Sequence, residues 1–408
     1  MVAMAICLLI TFHYVDMTMR LPEQDMSTTE IIEYYGYPAE SIRVKTDDGY
    51  ILEMHRIPFG KNKDPLQNNI TKPIVFLQHG LLAASSDFVL NLPSNSLAFL
   101  LADQNFDVWL GNMRGNLYSR KHDSDPVFSK KFWSFTWDEM AKYDLEAMVD
   151  AVLDITNQKK LYYIGHSQGT MTLFGKLSDD MLFNAKIEKF FALAPVARVG
   201  HIKGLIHTIG TVLLPHISLI EKIFGSLEFL PSAWYIKLSS RIFCPSTFTN
   251  PLCTQILFLI GGPESNQMNF TRLPVYLSHS PAGTSTANII HWGQMVASGK
   301  CQKYDYGSSE KNVLHYGQEL PPEYDLTKIE TDVYLYWSET DWLADSIDVH
   351  EGILSKIPPK YIKLSSKLTD FNHFDFIYGL RAKKEIYEPI INIINQNEYK
   401  KRNKIYVS

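Results

Sequence analysis

The sequence predicts an α/β protein: a mostly parallel sheet with helices on both faces, interrupted by one long insertion. Three observations carry this. Short apolar and β-branched runs bounded by turn residues recur along the chain, segments with helical spacing lie between the later runs, and the alternation stops between about 197 and 325. With 408 residues, 45% hydrophobic and 20% charged, the chain has ample apolar material for a large core.

The chain opens on "MVAMAICLLITF", an apolar run with the length of a signal-peptide core and too short to span a bilayer. Residues 1–19 are therefore read as a signal peptide, although no Lys or Arg precedes the run and no small-x-small cleavage site precedes Arg20. Export fits the two N-x-[ST] sequons at Asn69 and Asn269, which are expected glycosylation sites.

Next come "IRVKT" (42–46) and "YILEMHRI" (50–57), a hairpin about "DDG". The runs "IVFLQ" (74–78), "FDVWLG" (106–111), "LYYIG" (161–165), "FFALAP" (190–195), "DVYLYW" (332–337) and "YIKL" (361–364) complete the predicted strands. Between them, "WDEMAKYDLEAMVDAVLDIT" (137–156) places Met140, Leu145, Met148, Val149 and Val152 near one helical face. The core is expected over 20–196 and 326–408, with 197–325 as an inserted cap. The first part of the insertion, 201–231, is apolar on more than one face; it fits either a buried helical pair or a cap whose underside faces a ligand. Pro215 and the Lys and His residues within it exclude a transmembrane helix. The tail "QNEYKKRNKIYVS" (396–408) reads as a solvated, partly frayed end.

The formal charge of −5, from 44 acidic against 39 basic residues without long runs of either sign, argues against a nucleic-acid partner. Of the four cysteines, Cys7 lies in the segment that export removes. Cys244 and Cys253, separated by a chain bent at Pro245 and Pro251, are close enough to bridge a short loop; the alternative is two unlinked core cysteines. Cys301 is left as a buried thiol.

"GHSQG" (165–169) is a G-x-S-x-G motif, which chance supplies in about 0.1 copies per chain of this composition, so its context must carry the weight. It follows the strand "LYYI" and precedes the helix "TMTLFGKLS". A sharp strand-to-helix turn lifts a serine hydroxyl clear of the sheet and sets it at a helix N-terminus, where negative charge is favoured. Ser167 is the candidate nucleophile, and it needs a base and an orienting carboxylate. Asp341 lies just beyond the strand "DVYLYW" and His373 in the loop after "YIKL", giving the order Ser, Asp, His of α/β-hydrolases at the carboxyl ends of strands. Asp345 is the rival acid, while Asp375 follows His373 too closely to orient it. The oxyanion of the tetrahedral intermediate needs two backbone donors, here those of Gln168 and Leu81. His79 is expected to shape the Leu81 loop and His166 to pack and hydrogen-bond within the elbow. No metal-ligand spacing, P-loop or G-x-G-x-x-G after a strand is present, so cofactor-free chemistry is expected.

The stretches "LQHGLL", "FLLADQNFDVWLGNMRGNLYSRKH", "FWSFTWDEMAKYDL", "YYIGHSQGT", "VYLSHSPAGTSTANIIHW" and "FNHFDFIYGL" resemble the acid lipase family of gastric and lysosomal lipases, in the same order from about Ile31 to the last helix. The resemblance implies an α/β-hydrolase fold with an inserted helical cap, and the same assignments: Ser167 as nucleophile, Asp341 as acid, His373 as base, Leu81 and Gln168 as oxyanion donors, and a Cys244–Cys253 bridge. It implies a secreted or lysosomal serine lipase acting on neutral lipid esters at a lipid–water interface, with the cap moving for lipid to enter. The rivals are an esterase of short soluble esters and a non-catalytic lipid-binding protein. One departure stands out: "WSETDWLADS" carries Ser-Glu-Thr where relatives commonly have Gly-Gly-Asn before the aspartate, which leaves the geometry of that loop open.

Overall fold

The computed structural model describes residues 21–62, 71–213, 227–230 and 250–407. The expected signal peptide, Asn69, Cys244 and the side chain of Cys253 lie outside the described residues, as do residues 214–226 and 231 of the apolar stretch 201–231.

All eight predicted strands are present: β1 (Glu40–Lys45), β2 (Tyr50–Ile57), β3 (Ile74–Gln78), β4 (Asp107–Leu110), β6 (Leu161–His166), β7 (Ile187–Leu193), β10 (Val333–Ser338) and β11 (Ile362–Leu368). With β5 (Lys121–His122), a short partner of β2, they form one sheet in the order β1-β2-β4-β3-β6-β7-β10-β11. The pair β1 and β2 is antiparallel, with Glu40 opposite Arg56 and Lys45 opposite Ile51. From β4 onward every neighbour is parallel. Strands β3, β4 and β6 are buried along their whole length, while β1 alternates between exposed and half-buried positions. That contrast is the one expected between central parallel strands covered on both faces and a solvated edge.

The helix foreseen over 137–156 begins at Thr136, whose backbone N–H donates to Glu139 Oε2 at 2.7 Å in a capping box. It widens by one residue per turn over Met140–Asp144, then continues as α1 (Leu145–Thr156) and stops at Asn157 in the left-handed region. The wide turn places Asp144 against the fully buried Arg114. Asp144 accepts from the Arg114 backbone N–H and from its guanidinium, while Asp48 in the β1–β2 turn accepts from the guanidinium's other nitrogens at 2.6 and 2.8 Å. The helix α2 (Gln168–Asp179) follows β6 directly.

Between β7 and β10 the described residues contribute helices: α3 (Gly204–Leu213), α4 (Asn250–Gly261), α5 (Leu273–His279), α6 (Thr286–Ser298) and α7 (Ser309–Tyr316). Among the described residues the one sheet there is the two-residue pair β8 (Glu228–Phe229) and β9 (Thr284–Ser285). Among the described residues no helix is long and apolar enough to cross a membrane.

The tail differs from expectation. Instead of fraying from 396, the chain continues as α8 (Glu388–Val407). Polar contacts explain this: Tyr162 of β6 donates its hydroxyl to Glu398 at 2.6 Å, Asn397 donates to Glu188 at 2.7 Å, and Lys401 pairs with Glu188 at 3.0 Å. The polar tail docks because Tyr162 and Glu188 lie near the amino ends of β6 and β7, where they can meet it.

Candidate active site

The elbow between β6 and α2 carries strain at its centre. Ser167 has φ 53° and ψ −121°, a conformation that costs an ordinary residue on the order of 1–3 kcal/mol and persists only where the surroundings enforce it. They do so through close backbone contact. A Cβ on Gly169 would lie 2.4 Å from the Gln78 carbonyl oxygen, and one on Gly165 would lie 2.7 Å from that of Gly169, so only glycine lets β3, β6 and α2 approach this closely. The Ser167 N–H donates to the Leu193 carbonyl of β7 at 3.1 Å, which ties the turn to the next strand.

The structure brings His373 and Asp341 together. Nδ1 of His373 lies 2.9 Å from Oδ2 and 3.0 Å from Oδ1 of Asp341, with both side chains buried. Asp341 also accepts from the backbone N–H groups of Leu343 and Ala344, each at 2.9 Å, which fixes the carboxylate. The rival Asp345 is committed elsewhere: it accepts from the Ile347 N–H at the start of a short helix and pairs with Lys203 at 2.6 Å. Asp375 accepts from the Asn372 N–H at 2.7 Å. The Ser-Glu-Thr departure is accommodated by hydroxyl chemistry, since Thr340 donates to the Phe371 carbonyl at 3.0 Å and so links the acid loop to the stretch before His373.

His166 and His79 are both buried, which favours the neutral form of each imidazole. Burial, and then the neighbouring His373, push His166 down to about 3; burial pushes His79 down to about 4. The Nε2 of His166 donates to the His373 carbonyl at 3.1 Å, fastening the histidine loop to the elbow. For His79, Nδ1 donates to the Gly80 carbonyl at 2.8 Å, while Nε2 accepts from the Met113 N–H at 3.2 Å and lies 3.1 Å from the Asn116 amide nitrogen. The loop carrying Leu81 is thus held at both ring nitrogens. As first residue of α2, Gln168 has no carbonyl one turn back for its N–H to reach, the usual state of a helix start.

Four contacts lay beyond sequence reasoning. The carbonyl of Gly261, at the end of α4, accepts from both Trp342 (3.2 Å) and His373 (2.9 Å), joining the acid and histidine loops through the insertion. The Gln168 side chain receives donors from Asn288 and Trp292 of α6. No periodicity marks such pairs, which lie more than 80 residues apart. Of the other sequence-predicted positions, the Cys244–Cys253 bridge and Asn69 lie outside the described residues, Asn269 is half-buried with its Oδ1 accepting from Thr271, and Cys301 is a half-buried free thiol that burial pushes up. Among the described residues no group of three or more His, Cys, Asp or Glu is arranged to hold a metal ion.

Beside the Leu81 loop, Asp87 is pushed up from its ordinary 3.8 to about 7 by burial, with a bond from Tyr378 opposing part of the shift. A carboxyl whose folded value is raised holds an extra proton in the folded state between about pH 4 and 7, so stability falls as pH rises through that window, by up to about 4 kcal/mol. Asp87→Asn removes the titration. It is expected to leave the melting temperature near wild type at pH 4.5 and raise it by several degrees at pH 8, read by differential scanning fluorimetry; equal values at pH 8 would contradict the assignment. His79 and His166 act in the opposite sense, their contribution being present above about 6.5 and lost as pH falls toward 4 and 3, and this acid-side loss should persist in the variant.

Comparison with known proteins gives the following. The family described as "Partial alpha/beta-hydrolase lipase region" matches residues 28–92, and "alpha/beta hydrolase fold" matches residues 73–198. "Lipase lipl-3" of Caenorhabditis elegans is 52% identical over 379 residues, covering 92% of this chain and 93% of that protein. Human "Gastric triacylglycerol lipase" is 44% identical over 377 residues, covering 92% and 93%, and human "Lysosomal acid lipase/cholesteryl ester hydrolase" is 42% identical over 375 residues, covering 92% and 92%. The solved structure of DcsB with its substrate analogue superposes with a TM-score of 0.52 at 12% identity, over 88% of this chain and 100% of that one, a likeness of fold alone.

Proposed function

Because this chain belongs to the family of the gastric and lysosomal acid lipases, we propose that Ser167, His373 and Asp341 are the residues with which it cleaves neutral lipid esters. The protein is an α/β-hydrolase and a carboxylic ester hydrolase of the lipase type. The observation that supports the residue assignment best is the buried His373–Asp341 pair at 2.9 Å, reached from loops at the ends of two different strands, beside a strained serine elbow.

In the proposed mechanism Ser167 attacks the ester carbonyl while His373 takes its proton, and Asp341 orients the imidazole and stabilises its charged form. The Leu81 and Gln168 N–H groups receive the oxyanion, each donor contributing on the order of 10²–10³ in rate. His373 then protonates the leaving alcohol, and water repeats the sequence on the acyl-enzyme. The His166 bond to the His373 carbonyl and the His79 bonds around Gly80 support these roles, because they fix the loops carrying the base and a donor. The apolar run before Arg20 and the sequons at Asn69 and Asn269 support export to the lumen, the cell exterior or the lysosome. The apolar stretch 201–231 supports a cap over the acyl chain that opens at a lipid–water interface.

A substrate panel tests the reading. Emulsified triacylglycerol and a sterol ester, compared with phospholipid at acidic and neutral pH, should be cleaved at least about tenfold faster than phospholipid. Activity confined to short water-soluble esters would overturn the neutral-lipid assignment.

A further inference from the structure

The insertion is expected to act as a cover, yet one segment of it, 282–292, makes contact at both proposed oxyanion donors, with the Gln168 side chain and with the Leu82 carbonyl next to Leu81. At the first donor, the Gln168 side chain is buried and held at each end. Its Oε1 accepts from the Trp292 indole N–H at 2.7 Å and from the Asn288 amide at 3.0 Å, and its Nε2 lies 3.4 Å from Met140 Sδ. Asn288 is itself fixed, donating from its amide to Thr284 Oγ1 at 3.1 Å and from its backbone N–H to Ser285 Oγ at 2.9 Å. At the second donor, Leu82 follows Leu81 with φ 59°, an uncommon conformation for a leucine, and its carbonyl accepts from the Ala282 N–H at 2.6 Å.

Both donors therefore adjoin a strained non-glycine residue, Ser167 in one case and Leu82 in the other. Strained backbone keeps its geometry only when neighbours over-determine it. In both places the same segment supplies a restraint. We infer that Asn288 and Trp292 are positioning residues of the oxyanion hole, acting through the Gln168 side chain to aim its backbone N–H, so that the insertion is part of the catalytic frame as well as a cover. The inference rests on the proposed roles of Ser167 and Gln168.

Trp292→Phe removes the indole donor and keeps an aromatic ring. On a soluble p-nitrophenyl ester, kcat should fall about tenfold with KM within twofold, because a misaimed donor is weakened without being lost. A fluorophosphonate probe should label the variant to the same final stoichiometry as wild type, at a rate lowered by a similar factor. Gln168→Met removes the acceptor and should lower kcat at least as much, and adding Trp292→Phe to it should cost less than a further twofold. An unchanged kcat in Trp292→Phe, or full additivity in the double variant, overturns the inference. Should Trp292→Phe fail to fold, Asn288→Ser is held to the same kcat criterion. Ser167→Ala is labelled in parallel: persistent labelling there would sink the site assignment itself, whereas Ser167-dependent labelling with an unchanged kcat in Trp292→Phe sinks only the brace.

Discussion

Replacing Ser167 with alanine should lower kcat for ester hydrolysis by about 10⁶, leaving only the rate supplied by binding and the oxyanion donors. The size of the effect follows from the unit character of the three residues: without the hydroxyl there is no acyl-enzyme, and His373 and Asp341 have nothing to activate. The fold should be unaffected, since what holds the elbow is the close contact at Gly165 and Gly169 and the Ser167 backbone bond to Leu193, all of which an alanine retains. Titration calorimetry or a pH-stat assay on purified variant, with its melting curve, measures both quantities. Activity within tenfold of wild type in a folded variant would remove Ser167 from the mechanism.

Replacing Asp341 with asparagine should lower kcat by about 10⁴. The asparagine occupies the same space, but its amide cannot both keep the bonds from Leu343 and Ala344 and accept from His373 Nδ1 through a charged oxygen. With the amide nitrogen turned toward the ring, the imidazole takes the other tautomer and presents a proton to Ser167 where a lone pair is needed. Asp345→Asn is the companion, expected to cost stability by loosening Lys203 and the helix start at Ile347 while keeping kcat within a few fold. A large loss in Asp345→Asn with little in Asp341→Asn would exchange their roles.

Much of this arrangement is legible in the sequence because of how its parts are buried. Central parallel strands are covered on both faces, so β3, β6 and β7 stand out as continuous apolar runs, and the carboxyl ends of β6, β10 and β11 mark where Ser167, Asp341 and His373 emerge. The elbow is legible because its glycines are demanded by contacts within a few residues and the strand beside them. What the sequence hides is the pairing of residues far apart. The links from Asn288 and Trp292 to Gln168 span 120 and 124 positions, and the Gly261 carbonyl that joins two loops carries no side-chain mark at all. The docked tail is hidden for a related reason: α8 is polar at 396–401, and only the location of Tyr162 and Glu188 near the amino ends of β6 and β7 turns those polar residues into anchors. Likewise the raised Asp87 owes everything to burial, which no local pattern announces.

The central claim is that Ser167 is the activated nucleophile of a His373–Asp341 pair. Its most direct test is peptide mass spectrometry of the protein after reaction with a fluorophosphonate. The account predicts one adduct per chain, on Ser167 within "LYYIGHSQGT", lost in His373→Ala. An adduct on another serine, or none on a protein that hydrolyses esters, would contradict it.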